Sequence, residues 1–365
     1  MKIVIITAKI YPNTSPRATR ATELAKQLAK MGHEVVLCAA LDKFDYSELE
    51  KEYNLRILPL KTRFYLNRGK VSFVRKAFNK VLNTLLHRVM AFPEIELKHS
   101  VKKLLLKEKD IDYLITIAMP YPIHWGATTA KKVLKEGFPK HWTSDCGDPY
   151  WGDPFNKHPF YFKWLEEKWS AATDSIVVPI ESAKKAYLPI AQSKISVIPQ
   201  GFDFSDVKIK DGPTNNSCPT FAYSGYVYEG RRDPRTFLDY LSTIKKDFKI
   251  VIYTPQKGFY EKYLEKLKGK IELRDYVPRT QLIYELSCMD FLINLTNLST
   301  VQSPSKLIDY YLTKRPIIDV STPFSEHDLI NDALNGVFHE NKYSSIDVEQ
   351  YNIINVAKQF VDLVK

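Results

Sequence analysis

Short apolar runs alternate with segments of helical period along almost the whole chain, in two successive series, and this rhythm restricts the fold to parallel sheets covered by helices. The opening run "KIVIIT" reads as a buried strand. In "ATELAKQLAKMGHEVVLCAA", Leu24 and Leu28 lie one helical turn apart, Gly32 stops the helix and a second strand begins at Glu34, which completes a βαβ unit. His33 in this segment reads as structural. The pattern continues through "LRILPL", a basic helical region, "DYLITIA", the helix "GATTAKKVLKEG" and "KHWTSD".

A second series runs through strand "TFAYSG", helix "DPRTFLDYLSTIKK", strand "KIVIYT", helix "FYEKYLEKLKG", strand "IELRDY", helix "RTQLIYELSCM" and strand "DFLINLT". "SPSKLIDYYLTKRPIIDV" then predicts a helix with Ser303 as N-cap, Pro304 at its first position and Pro316 beyond its end. Between the series lies "KISVIPQGFDFSDVKIKDGPTNNSCPT", whose Gly, Pro and Asn content is that of an interdomain linker. The seam is therefore placed near Gly201: a first Rossmann-like domain over 1–200, a second over 201–345, and a terminal helix over 346–365 (Ile353, Val356, Phe360 and Val364 at helical spacing) returning to the first. A chain of 365 residues suits two such domains.

Hydrophobic residues make up 44% and charged residues 26%, an ordinary globular balance. Cys38, Cys146, Cys218 and Cys288 have no CxxC spacing, so neither a disulfide framework nor a zinc site is indicated, and a reducing cytoplasm fits best. "MKIVIIT" meets Lys9 at once, and no stretch reaches the roughly 18 apolar residues of a membrane span, so neither export nor spanning is expected. The net charge of +11 is concentrated between Lys61 and Lys109. There Arg63, Arg68, Lys70, Arg75, Lys76, Lys80, Arg88 and several later lysines interleave with Phe64, Tyr65, Phe73 and Phe78. That composition suits an anionic membrane surface, or alternatively a solvated helix face. No recognition module supports nucleic-acid binding, no GxGxxG follows a strand to support NAD, and no metal-ligand cluster is visible.

Five segments in order, "ELAKQLAKMGHEV", "SVIPQGFD", "YSGYVYEGRRDP", "DYVPRTQLIYELSCMDFLINL" and "SPSKLIDYYLTKRPII", resemble the landmarks of retaining GT-B glycosyltransferases, family 4-like, a large group that includes bacterial polysaccharide-assembly enzymes. The resemblance spans nearly the whole chain. It implies two Rossmann-like domains facing across a cleft, a nucleotide-diphosphate sugar as donor, a glycan or lipid-linked acceptor, no cofactor and no metal. Ser303, Ser305 and Lys306 at a helix start would hold the diphosphate, joined by Arg231 or Arg232 after the strand-terminal Gly225. Asp309 matches the family's second carboxylate, which holds the ribose; the first falls at Val301, where no acid stands. Backbone groups of Tyr276, Val277 and Pro278 would face the base; alternatively the segment is simply a strand, a turn and a helix cap, with Thr280 as N-cap.

In the first domain, "YPNTSPRATR" replaces the family's glycine-rich loop, and Arg17 and Arg20 are candidates for an acceptor phosphate or else surface charges. "HWTSDCGDPYWGDP" resembles an acceptor-domain element and nominates Asp145, Asp148 and Trp151, although turn formation explains it equally. His124 is a candidate to orient the acceptor hydroxyl, or a histidine packed at a helix start. By resemblance the anomeric configuration is retained and a leaving-phosphate oxygen takes the proton, so Asp148 and His124 would position the acceptor. Alternatives on the same fold are a nucleotide-sugar epimerase or hydrolase and a non-catalytic nucleotide-sugar-binding protein.

Overall fold

The computed structural model describes residues 1–66, 84–153, 157–230, 232–296, 306–338, 340, 343 and 345–364. The chain separates into two compact units, Met1–Asp203 with Gln350–Lys365, and Phe204–Glu349.

The first unit holds seven parallel strands: β1 (Lys2–Ile6), β2 (Glu34–Ala39), β3 (Arg56–Pro59), β4 (Tyr113–Ala118), β5 (His141–Cys146), β6 (Ser175–Val178) and β7 (Ile195–Val197). Their order is β3-β2-β1-β4-β5-β6-β7, with the direction of winding reversing between β1 and β4. The helices are α1 (Pro16–Lys30), α2 (Ser47–Tyr53), α3 (Ile95–Leu105), α4 (Pro122–Leu134), α5 (Tyr161–Ala172) and α6 (Pro189–Gln192), with α12 (Ile353–Asp362) from the far end of the chain. Successive residues of β1 feed opposite cores: Ile3 and Ile5 pack with Leu24 and Leu28 of α1, while Val4 and Ile6 pack with Leu97 and Val101 of α3. This two-sided burial explains why β1 is apolar at every position after Lys2. Ile353, Val356 and Phe360 of α12 join the α1 core, and Phe202 and Asn352 form a parallel bridge beside it. Helices α3 and α4 approach so closely that a Cβ on Gly126 would lie 2.7 Å from both the Lys98 carbonyl oxygen and the Val101 Cβ. Only glycine fits there.

The second unit is a five-stranded parallel sheet of β8 (Thr220–Ser224), β9 (Lys249–Tyr253), β10 (Ile271–Arg274), β11 (Phe291–Leu295) and β12 (Ile317–Val320), in the order β10-β9-β8-β11-β12. Its helices are α7 (Arg235–Thr243), α8 (Lys257–Lys266), α9 (Arg279–Ser287), α10 (Lys306–Leu312) and α11 (His327–Leu334). Ile250 and Ile252 of β9 enter one core, Val251 and Tyr253 the other. One expected cap is corrected: α9 begins at Arg279 with Pro278 in the cap position, so Thr280 is already inside the helix. The ring of Pro278, at φ −51° and ψ 146°, holds an extended residue just before the helix begins. Ser303 and Pro304, the expected start of α10, lie outside the described residues, which resume at Lys306.

Candidate functional site

In the second unit, β8 ends at Ser224 and runs into Gly225, whose φ of +131° suits glycine. A Cβ built there would lie 3.9 Å from Cδ of Lys306, so the bare backbone of Gly225 leaves room directly beside that lysine. Lys306 opens α10, and its Nζ sits 4.1 Å from the centroid of the Tyr223 ring and 5.6 Å from that of Tyr310. The ammonium is enclosed and has no hydrogen-bond partner among the described residues. Burial pushes Lys306 well below the usual lysine range; Arg232 adds to the depression and Asp319 opposes it. Two cations therefore converge at the carboxyl end of β8, where open parallel sheets collect ligands. Arg232 is held there by a tight turn, its backbone exchanging hydrogen bonds with Tyr228 at 3.0 and 3.2 Å.

Asp309, one turn along α10 from Lys306, accepts from Arg279 Nε at 2.7 Å through Oδ1. The carboxylate expected to hold ribose hydroxyls is thus oriented by a salt bridge, with Oδ2 as its remaining acceptor atom. Burial raises the Asp309 carboxyl, and Arg279 counters the rise. Tyr276 and Pro278 are exposed and Val277 is half-buried, on the segment that joins β10 to α9. Arg231, Val301, Ser303 and Ser305 lie outside the described residues, as do Arg68, Lys70, Phe73, Arg75, Lys76, Phe78 and Lys80 of the basic segment.

In the first unit three expectations are corrected. Arg20 is 2% exposed, and its donors go to Asp145 Oδ2 at 2.5 Å, the Pro199 carbonyl at 2.5 Å and the Ile198 carbonyl at 3.1 Å. It ties α1 to β5 and to the chain after β7, and it is not available to an acceptor. Asp145 is its fully buried partner, with Arg17 Nη1 3.7 Å from its other oxygen, so it too is structural. His124 is fully buried in α4, bonded to Thr116 Oγ1 at 2.8 Å, with Cys146 Sγ 3.5 Å from its other nitrogen. Its ring packs against those of Tyr121 and Trp169. Burial lowers its pKa to about 3, which makes it a neutral core residue that cannot touch an acceptor.

Arg17 and Asp148 keep their candidacy. The Arg17 guanidinium lies over Gly147, where a Cβ would come within 2.8 Å of Cζ, and Nη2 reaches Gln200 Oε1 at 3.4 Å. Asp148 is half-buried; burial raises its carboxyl while Arg17 lowers it. Its carbonyl accepts from Tyr121 Oη at 2.8 Å. Trp151, half-buried against an aromatic core, donates its backbone N–H to Glu166 Oε2 at 2.9 Å.

Glu166 is 1% exposed, and its Oε1 has no hydrogen-bond partner among the described residues. Burial pushes its carboxyl up to about 7, against the pull of the Trp151 and Leu188 N–H groups. Between its ordinary 4.5 and 7, the folded chain keeps a proton that the unfolded chain has released, so stability falls as pH rises through that window. At 1.36 kcal/mol per pKa unit the change is about 3 kcal/mol. Glu166→Gln is expected to flatten it, a result readable as thermal midpoints at pH 5 and pH 8.

Sequence reasoning missed Tyr223, Arg279, Tyr310, Asp319, Gln200 and Glu166. Gln200, Tyr223, Arg279 and Tyr310 lay inside the quoted landmarks without being singled out, while Asp319 and Glu166 lay outside them, Glu166 reading as a helix-face position. Among the described residues no group of three or more His, Cys, Asp or Glu is placed to hold a metal ion, and no helix is long and apolar enough to cross a membrane.

The sequence model described as Glycosyltransferase Family 4 matches residues 18–206, more than half of the chain. The chain belongs to Glycosyltransferase Family 4. No curated protein matches it. Among solved structures, a glycosyltransferase from Rickettsia africae ESF-5 is 14% identical, with 100% of this chain and 97% of that one covered and a TM-score of 0.63. The lipopolysaccharide outer core galactosyltransferase WaaB, in its apo form, is also 14% identical, over 100% of this chain and 99% of that one, with a TM-score of 0.64. HepE from Anabaena, in complex with UDP and glucose, is 9% identical over 99% and 98%, with a TM-score of 0.62. At these identities the likeness is one of fold: both family 4 units are the parallel α/β domains of the GT-B architecture.

Proposed function

We propose that the protein transfers a sugar from a nucleoside-diphosphate sugar to a glycan or lipid-linked acceptor, with retention of anomeric configuration, in the assembly of a polysaccharide, lipopolysaccharide or capsule. The observation that carries this reading is Lys306, an enclosed ammonium without a hydrogen-bond partner among the described residues, beside Arg232 and the bare backbone of Gly225. A cation so placed is destabilised until an anion reaches it, and a diphosphate supplies that anion. The HepE structure holds UDP and glucose, and starch synthase IV from Arabidopsis thaliana, of similar fold with a TM-score of 0.64, holds ADP.

On this reading Lys306 and Arg232 act most strongly as the sugar departs and negative charge grows on the diphosphate, so they lower the barrier as well as the dissociation constant. Asp309, fixed by Arg279, takes ribose hydroxyls through Oδ2. The diphosphate oxygen accepts the acceptor's proton, which leaves Asp148 a positioning task and requires neither a metal nor a strong base. Thermal unfolding against UDP, GDP, ADP, CDP and dTDP tests the donor site. At a ligand concentration about 100 times its dissociation constant, the binding nucleotide stabilises by about 2.7 kcal/mol. No shift with any of them removes the donor site from the proposal.

Association with an anionic membrane surface, at the cytoplasmic face, is part of the proposal. Phe160 is 83% exposed, Trp164 57%, and Leu85 and Met90 each 56%. Tyr161 Oη donates to the Val89 carbonyl, which joins the helical residues 84–90 to the start of α5 and sets these side chains on linked elements. Lys168 Nζ lies 3.0 Å from the Trp164 ring centroid, a cation beside an interfacial aromatic. Co-sedimentation with phosphatidylglycerol vesicles at low salt is expected, with loss on Phe160→Asp/Trp164→Asp. Equal sedimentation of both forms would sink the surface assignment.

A further inference from the structure

A cavity of about 610 Å³ opens in the first unit where the chain leaves β4, at Met119–Pro122, and β5, at Pro149–Asp153. Its volume lies in the range of roughly 300–1,000 Å³ usual for small-molecule sites, and it occupies the sheet edge where parallel folds bind ligands. Arg88 and Lys157 line it, and so do Glu94 and Asp153. His87 Nε2 stands 3.5 Å from Glu94 Oε1, and the His158 ring stacks on Tyr150 at a centroid distance of 3.9 Å. Burial holds His158 below the ordinary histidine range; Asp153 opposes this, and His87 and Arg88 add to it. Histidines apart, two cations therefore face two carboxylates.

That balance selects among ligand chemistries. A polyanion gains Arg88 and Lys157 but meets Glu94 and Asp153 in the same walls, and like charges a few ångströms apart repel. An apolar ligand would strip water from the exposed Arg88 and Lys157 and return nothing. Sugar hydroxyls each donate and accept, so one ring can donate to the carboxylates and accept from the guanidinium and ammonium together. The stacked Tyr150–His158 pair adds a flat aromatic surface, suited to the C–H face of a pyranose. Tyr121, also in the lining, holds the Asp148 carbonyl, so the cavity adjoins the residue assigned to position the acceptor.

We infer that this cavity binds an uncharged hexose unit of the acceptor glycan, through Arg88, Glu94, Asp153 and Lys157. The inference rests on the glycosyltransferase reading and narrows its acceptor to a neutral sugar terminus instead of a phosphate group.

The test uses the full chain and saturation-transfer NMR with methyl glucoside, methyl galactoside, glucose 1-phosphate and inorganic phosphate as probes; UDP, GDP and ADP binding is measured in the same samples. At least one methyl hexoside is expected to bind, with phosphate absent from the cavity. Asp153→Asn and the exposed Arg88→Ala each weaken the hexoside about tenfold or more and leave nucleotide affinity unchanged. Tighter binding of glucose 1-phosphate or phosphate than of the neutral hexosides overturns the inference. So does hexoside binding that is indifferent to both substitutions, or none at all, while nucleotide binding persists. Loss of every nucleotide response in the wild-type chain strikes the underlying glycosyltransferase reading instead.

Discussion

Replacing Lys306 by methionine is expected to raise the thermal midpoint of the ligand-free protein and, in the same variant, to abolish its response to nucleoside diphosphates. The two effects share one cause. The Lys306 ammonium is enclosed without a hydrogen-bond partner among the described residues, and burial followed by Arg232 holds its pKa well below the usual 10.5. In the unfolded chain the same group is charged up to its ordinary value. The unfolded state therefore binds more protons over the interval between the two values, and the stability cost of this residue shrinks as pH rises toward 10.5. Methionine fills much of the same volume without the charge. Relief of a buried, unsatisfied polar group is typically worth about 1–3 kcal/mol, or roughly 2–10 °C in a domain of this size. Sugar transfer should fall by roughly two to three orders of magnitude, the usual consequence of removing one preorganised donor to a developing anion. Diphosphate binding to the wild type should also take up protons at pH values below 10.5 where the depressed Lys306 amine is neutral, an uptake missing from the variant and measurable by calorimetry in buffers of different ionisation enthalpy. A variant less stable than wild type, with binding intact, would mean that Lys306 is a structural residue.

Arg20→Met is expected to be among the most damaging substitutions in the first unit. It strands the Asp145 carboxylate in the core, with only Arg17 at 3.7 Å, and strips two carbonyls, those of Ile198 and Pro199, of their donor. Breaking a buried pair from one side costs about 3–5 kcal/mol. The double variant Arg20→Met/Asp145→Leu removes the stranded charge and should recover part of that loss, but not all of it, because the carbonyls stay unpaired. Below its midpoint, turnover by Arg20→Met should stay close to wild type, since nothing in its hydrogen bonds points to a substrate. Thermal denaturation and initial rates on the same samples separate this structural role from acceptor binding. A stable variant with a raised acceptor KM would restore the acceptor assignment.

The strands were legible because burial on both faces leaves an unbroken apolar signal, as in "KIVII" and "FLINL". Helix α5 was not, because its aromatic and charged residues, "YFKWLEEKWSAA", place Phe162, Glu166 and Trp169 inside and Trp164 outside, a division that polarity alone does not predict. Lys306, Arg232 and Asp309 were nominated as site residues by their place in segments that resemble the family's landmarks. His124 and Arg20 were drawn into the site by residue type and Asp145 by the resemblance of its segment, although burial makes each a partner of its neighbours: Thr116 and Cys146 for the first, each other for the second and third. A sequence shows that an arginine stands one turn into a helix. Whether its fork is spent on a carboxylate 125 positions away is decided only by the packing of α1 against β5.

The returning helix α12 also sets the order in which the molecule can be finished. Ile353, Val356 and Phe360 close the core that Leu24 and Leu28 open, and the backbone of Phe202 is bonded to Tyr351 and Ile353, each at 2.9 Å. A growing chain emerges from the ribosome N-terminus first. The second unit, made from one uninterrupted stretch, is complete before the first has received its last apolar helix. Until that helix arrives, the α1 face of the nascent protein is an open hydrophobic surface, so a chain that stops between residues 349 and 353 has a finished second unit attached to a first unit that a chaperone would still recognise as unfolded.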